Sequence, residues 1–263
     1  MRNSNQSRAY PPFFSRIYSV WFRHFRVYSK SLISNGLPPF LEPLIFLAGI
    51  GLGMGAYLPK IAGMRYLTFL ATGLPITAAM FTSAFECSYG TFIRLEFDKV
   101  YDGMLAAPLS VGDILIGEIL WAGSKGIFFS LAVVSVVASF RLAPMPLSLL
   151  TGFVGFLTGI MFAALSLLIT SFVSNINHFN FYFTGFLSPM FFFSGVVFPI
   201  ENLPPVFRPI AEIFPLTHVV RLARGLDMFA LRPVHAGDLL FIALFTAIIG
   251  RIAIGRLRKK LIK

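Results

Sequence analysis

The chain alternates long apolar runs with short charged or proline-rich segments. Six runs read as membrane spans: about 38–57, 66–89, 114–140, 147–173, 179–199 and 237–253, the last extendable to Leu257. About 20 apolar residues in a helix cross the ~30 Å hydrocarbon layer. The pattern therefore predicts an all-α polytopic membrane protein with six transmembrane helices. Ahead of them, residues 12–34 interleave Phe14, Ile17, Tyr18, Trp21, Phe22 and Phe25 with Arg16, Arg23, Arg26 and Lys30. That suits an amphipathic helix lying at the membrane interface, or one packed on the rest of the protein with a wet basic face. Between the second and third runs, residues 91–105 form a short charged helix ended by Pro108. The longest connection, 200–237, holds two periodic pieces, 204–213 and 216–229, too short and polar to span. They enter the membrane only if protein or a cavity shields their backbone, as a re-entrant hairpin. The chain so divides into a tail with an interface helix, 1–37, and a transmembrane domain, 38–263.

Composition agrees with this class. Of 263 residues, 56% are hydrophobic and 13% charged, where a soluble domain carries about 25% charge. A disordered chain is excluded by the same figures, and a single cysteine excludes an internal disulfide framework. The formal charge of +11 is placed at the ends of the predicted spans rather than on one soluble face, which argues against nucleic-acid binding. Six basic residues precede the first run and six follow Gly250. Basic residues stay preferentially on the cytoplasmic side, so both termini are expected there, with an even number of crossings. No cleavable signal segment is expected.

Motifs of chemistry are sparse. The sequence has no GxxxxGK[ST], no strand-associated GxGxxG, no HExxH, no CxxC and no GxSxG. His24, His178, His218 and His235 lie in different segments, which disfavours a metal site, and Cys87 reads as a small apolar filler. The ionisable residues inside the runs are Glu42, Glu86, Glu118 and Lys125. Such groups are costly in lipid. The glutamates form a polar lining or a latch, or else sit at headgroup depth. Glu118 and Lys125 lie on similar faces two turns apart, and Lys125 either snorkels or lines a polar route. Gly155 and Gly159 allow close helix approach, as do Gly49, Gly51, Gly53 and Gly55 in the first run.

Two stretches carry a family resemblance. YDGMLAAPLSVGDILIGEILWAGSKG, residues 101–126, resembles the region after the second span of type-2 ABC (ABC-2) exporter permeases. SPMFFFSGVVFPIENLPPVFRPIAEIFPLTHVVRLARGL, residues 188–226, resembles their fifth helix and external hairpin. The nearest subgroup is the nodulation protein J family, permeases for lipo-oligosaccharide export, and the similarity covers nearly the whole chain. The resemblance implies a permease half that pairs with a second copy and recruits a separate ATP-binding cassette subunit, in a bacterial cytoplasmic (inner) membrane. ATP and Mg then belong to the partner; no cofactor or catalytic site is expected in this chain, whose length leaves no room for a fused ATPase. By position, the helix at 12–34 looks like the interface helix, and that around Glu96–Leu105 like the coupling helix. Glu96, Asp98, Lys99, Tyr101, Asp102 and Met104 are then candidate contacts to the ATPase.

The implied cargo is a lipid-linked or amphipathic glycan, with a drug or other hydrophobic compound as the alternative. Lys125, Phe181, Tyr182, Phe191, Phe192 and Phe193 are candidate pathway residues. Among 31 phenylalanines, however, most must face lipid or core. A secondary transporter or channel is the rival class, disfavoured by the lack of an obvious mid-membrane proton carrier. A membrane-embedded transferase would need His218, Arg221 and Arg224 to converge with an acid.

Overall fold

A computed structural model describes residues 10–30, 41, 44–53, 57, 60–61, 63–142, 149–228 and 230–261. Four of its helices are long and apolar enough to cross a membrane: α2 (Tyr66–Phe97), α4 (Val111–Ser139), α5 (Thr151–Phe172) and α9 (Val234–Leu261). The remaining helices are α1 (Phe13–Ser29), α3 (Val100–Leu105), α6 (residues 179–193), α7 (Arg208–Ile213) and α8 (Pro215–Asp227). A two-residue hairpin pairs Lys60 with Arg65 and Ile61 with Met64 ahead of α2.

The predicted count of six spans is therefore corrected to four among the described residues. The fifth predicted run, 179–199, forms only α6, whose 15 residues reach about 22 Å. Helix α6 widens into a π turn at Phe183–Leu187 and stops at Ser194. There Gly195 takes φ +82°, a left-handed conformation that turns the chain. The first predicted run, 38–57, is described at residues 41, 44–53 and 57, with Glu42 outside the described residues; its stretch 44–53 is helical and contains the π-wound Leu47–Leu52. The short charged helix is also shorter than its sequence implies. Residues 91–97 finish α2, and only Val100–Leu105 stand apart, set off by Lys99 at φ +50°.

Helix α5 is central, packed against α2, α4, α8 and α9. Small residues make its contact with α4 close: a Cβ on Gly126 would stand 3.2 Å from the backbone carbon of Gly155, and one on Gly159 would stand 2.8 Å from the Cα of Gly123. Gly155 and Gly159 thus let two backbones meet, as small residues do between membrane helices. Gly49 and Gly53 have open space where a Cβ would stand. Pro75 lies inside α2, and the Ser130 hydroxyl of α4 donates to its carbonyl at 2.8 Å. In α2, 72% of the apolar segment is buried within the protein, against 22% in α9, so most of α9 faces outward from the bundle.

Helix α1 lies lengthwise along the first half of α4, in parallel register. Arg16 pairs with Asp113 at 2.7 Å, Val20 fills the notch at Gly117, His24 stacks near Trp121, and Tyr28 lies under the Lys125 ammonium. Each step advances both helices by four residues. Only Ile17, Val20 and His24 are buried, while Phe14, Tyr18, Phe22 and Phe25 remain exposed. The start of α4 is fixed by a reciprocal cap, with Ser110 and Asp113 each bonding the other's backbone N–H.

Gly126→Ala should lower stability by about 1–3 kcal/mol by forcing α4 and α5 apart. Gly237→Ala, in α9 with open space at its Cβ, should be neutral or stabilise by up to about 1 kcal/mol. Thermal unfolding of both variants in one detergent checks the contrast.

Candidate functional site

At the end of the bundle where basic residues gather, four helices meet over a buried ladder of charges. Glu118 of α4 is fully buried. Its carboxylate accepts from Arg94 Nε at 2.9 Å, from Thr91 Oγ1 at 3.0 Å and from the Tyr101 hydroxyl. Arg94 also reaches Glu86 Oε1 at 2.8 Å, and the other Glu86 oxygen takes Lys125 Nζ at 2.9 Å. The order Glu118–Arg94–Glu86–Lys125 alternates in sign and sums to zero, the arrangement that buried charges require. Below the ladder's last rung, the Lys125 ammonium lies over the rings of Tyr28 and Phe129.

Two groups complete it. His24 Nε2 stands 3.6 Å from Glu118. Burial pushes the His24 imidazole down to about 4, against the opposing pull of Glu118, so it is neutral at physiological pH and adds no charge. Burial, reinforced by Glu118, raises the Tyr101 phenol well above its ordinary value, so it acts as a hydrogen-bond donor. Helices α2, α3 and α4 are thereby joined through one set of polar contacts, and α1 packs against it with the His24 Nε2 making no hydrogen bond among the described residues.

The coupling candidates separate into two groups on this frame. Tyr101 and Met104 are buried, Tyr101 on Glu118 and Met104 among Val20, Leu95 and Ile114. They anchor α3 from beneath. Asp98, Lys99 and Asp102 are exposed, and form its outer surface. Glu96 belongs to the end of α2 and pairs with Lys260 of α9 at 2.9 Å. The pathway candidates do not share one surface. Lys125 is held in the ladder. Tyr182 is buried against the Ser166 hydroxyl and Phe191 is buried beside Phe46 and Phe81. Phe181, Phe192 and Phe193 are exposed, with Phe193 stacked on Phe207.

Sequence reasoning had no signal for Arg94 as the partner of both glutamates. At 3.6 residues per turn, positions 86 and 94 lie about 80° apart. The wide turns at Glu86–Gly90 and Ile93–Phe97 add residues per turn and reduce that offset. His24 and Thr91 were hidden for another reason: their relevance arises only from contact with Glu118.

The opposite end holds the α7–α8 hairpin. Arg224 of α8 stacks 3.7 Å over Phe69 and donates to the carbonyls of Phe69, Gly195 and Val196 and to Thr72. It pins the hairpin to the start of α2 and to the turn after α6. His218 and Arg221 point elsewhere. Both meet Asp238 of α9, His218 at 2.7 Å and Arg221 at 3.6 Å, and Arg221 also pairs with Glu212. Of the three basic groups considered for a transferase site, His218 and Arg221 thus converge on one acid, and Arg224 is turned away onto backbone carbonyls. Asp227 is buried and accepts from Thr151 Oγ1 at 2.8 Å; burial raises its carboxyl to about 6. Among the described residues, no group of three or more His, Cys, Asp or Glu is placed to hold a metal ion.

The ABC-2 type transporter family matches residues 15–228, and the chain belongs to that family. It is 36% identical over 206 residues to Nodulation protein J of Sinorhizobium fredii (strain NBRC 101917 / NGR234), covering 78% of this chain and 79% of that protein. Nodulation protein J of Rhizobium leguminosarum bv. trifolii is 37% identical over 207 residues, with 78% and 79% covered. More distantly, the Inner membrane transport permease YadH of Escherichia coli (strain K12) is 20% identical over 202 residues, with 77% and 78% covered. The chain is thus a multi-pass membrane permease of the ABC-2 exporter class related to the nodulation J proteins.

Glu118→Gln should destabilise the protein by about 3–5 kcal/mol, because Arg94 and Lys125 then share only Glu86. Removing both partners, Glu118→Gln with Arg94→Gln, should recover part of that loss, and a double-mutant thermal cycle reads the difference. Asp227 supplies a pH test. Its folded pKa is raised, so stability is lost as pH rises from about 4 to about 6, by on the order of 2–3 kcal/mol. The difference between wild type and Asp227→Asn should change over that window and be flat above it.

Proposed function

We propose that this chain is the membrane subunit of an ATP-driven exporter that moves a lipid-linked or amphipathic glycan. The observation that carries the reading is the seating of α3. Its Tyr101 hydroxyl donates to Glu118, the carboxylate that also holds Arg94 of α2 and lies against His24 of α1. A force on the outer surface of α3 therefore reaches two spanning helices without passing through a flexible segment. The similarity to nodulation J proteins supports a glycan-bearing cargo over a simple drug.

In this reading two copies of the chain pair in the bacterial inner membrane, with the ladder end and both termini in the cytoplasm. A separate nucleotide-binding subunit carries ATP and Mg and docks on Asp98, Lys99 and Asp102, close to Glu96. Closure of the paired ATPases presses on α3, and the ladder passes the displacement to α2 and α4. This chain supplies two states with different affinity for the cargo, which is what a pump requires of its membrane part. The exposed rings of Phe181, Phe192 and Phe193 offer faces for sugar or acyl contact. Lys125 contributes to the switch by holding Glu86 rather than by touching cargo.

Asp98→Lys with Asp102→Lys should lower the yield of co-purified ATPase subunit about tenfold at unchanged membrane abundance. Tyr101→Phe should keep the subunit bound while lowering ATP-dependent glycan transport in proteoliposomes. Full subunit retention together with full transport in both variants would refute the coupling assignment. A chain that purifies without any nucleotide-binding partner and transports without ATP would refute the exporter reading itself.

A further inference from the structure

A cavity lies apart from the ladder, on the outer side of the bundle. It is a groove of about 440 Å³ between α4, α5 and α9. Its walls are apolar, formed chiefly by Ile116 and Leu120 of α4, Ile160 of α5, and Ala247 and Gly250 of α9, with Arg251 at the rim. Helix α9 is the least buried of the four spans, so the groove opens toward the bilayer.

Arg251 is the only charge lining the groove. It is exposed and makes no ion pair among the described residues; of the carboxylates at this end, Asp98 and Asp102 lie exposed at α3, and four others are engaged elsewhere. Asp113 pairs with Arg16, Glu86 with Arg94 and Lys125, Glu118 with Arg94, and Glu96 with Lys260. A guanidinium on an apolar, lipid-facing helix is costly unless an anion meets it. Arg256 lies nearer the basic end, where it stacks on Phe172, so Arg251 sits roughly 7 Å deeper along α9. The groove also touches Thr246, whose hydroxyl oxygen is buried and has no hydrogen-bond partner among the described residues. Thr246 is about 7 Å further from the basic end than Arg251.

One ligand chemistry matches all three features. We propose that the groove binds an anionic glycerophospholipid, with its phosphate on Arg251, an ester carbonyl accepting from the Thr246 hydroxyl, and the start of an acyl chain along Leu120 and Ile160. The ester lies on the chain side of the phosphate, as Thr246 lies on the membrane side of Arg251. A lipid so held fills the seam where α9 meets α4 and α5. The site is independent of the cargo and of the ATPase partner.

The test is native mass spectrometry of the full chain, purified in mild detergent and titrated with phosphatidylglycerol or phosphatidylcholine. One phosphatidylglycerol should bind per chain, about tenfold more tightly than phosphatidylcholine, a difference of about 1.4 kcal/mol. Arg251→Ala should abolish that preference, Arg251→Lys should retain most of it, and Thr246→Val should weaken phosphatidylglycerol several-fold. Ala247→Trp, which fills the groove, should remove the bound lipid. An unchanged melting temperature for Arg251→Ala, expected of an exposed side chain, separates ligand loss from misfolding. Equal retention of phosphatidylglycerol by wild type, Arg251→Ala and Ala247→Trp would overturn the site. So would efficient disulfide cross-linking between two copies of Ala247→Cys, which would show a second chain covering the groove.

Discussion

The structure depends on one carboxylate that has no access to water. Glu118 is fully enclosed, and a lone charge there would cost several kcal/mol. It is tolerated because Arg94, Thr91 and Tyr101 converge on it. Those partners come from α2 and α3, so neutralising the charge also fixes how these helices sit against α4. The remainder of the ladder follows from the same requirement. Arg94 carries one charge and faces two glutamates, and Lys125 supplies the second cation. Ion pairs of this kind add less stability than their number implies, but they oppose any sliding that would separate partners.

The ladder and the Arg224 clamp use polar contacts differently. At the ladder end, charges are paired with charges. At the hairpin end, Arg224 is satisfied mainly by backbone carbonyls of α2 and of the turn at Gly195. A guanidinium clamped on carbonyls holds a position without asking for a matching acid, so the hairpin is fastened to the start of α2 by shape. Between the ends, the bundle relies on small residues. The glycine contacts of α4 and α5 bring backbones together where side chains of lipid-like polarity would gain little from burial.

Much of this was legible in the sequence, and the limits have physical causes. Hydropathy identified α2, α4, α5 and α9, because a long apolar helix leaves an unmistakable pattern. The same signal overcounted at α6. Its residues are as apolar as those of a span, but a π turn and the left-handed Gly195 shorten the element, and neither reduces hydropathy. The motifs around Tyr101 and in the 188–226 stretch pointed to the family that the comparison shows. What composition could not supply was pairing. Glu86, Glu118 and Lys125 stood out as ionisable residues within apolar runs, whereas Arg94 fell in the short charged helix between them. Its role depends on wide helical turns that no simple periodicity registers. Tyr101 and Met104 were read as contacts to a partner by their position in the stretch that resembles a coupling helix; Glu118 and the Val20–Ile114 cluster draw them inward.

The parallel register of α1 on α4 has a consequence for biogenesis. Arg16 and Asp113 are 97 residues apart, and at about 5–20 residues per second the ribosome needs about 5–20 s to produce α4 after α1. During that interval α1 has no partner for Ile17, Val20 and His24. Its aromatic side, with Phe14, Tyr18, Phe22 and Phe25, gives the nascent helix a hold on the membrane surface while it waits. Docking onto α4 can then proceed as a search in two dimensions, and the Gly117 notch sets the register at which that search ends.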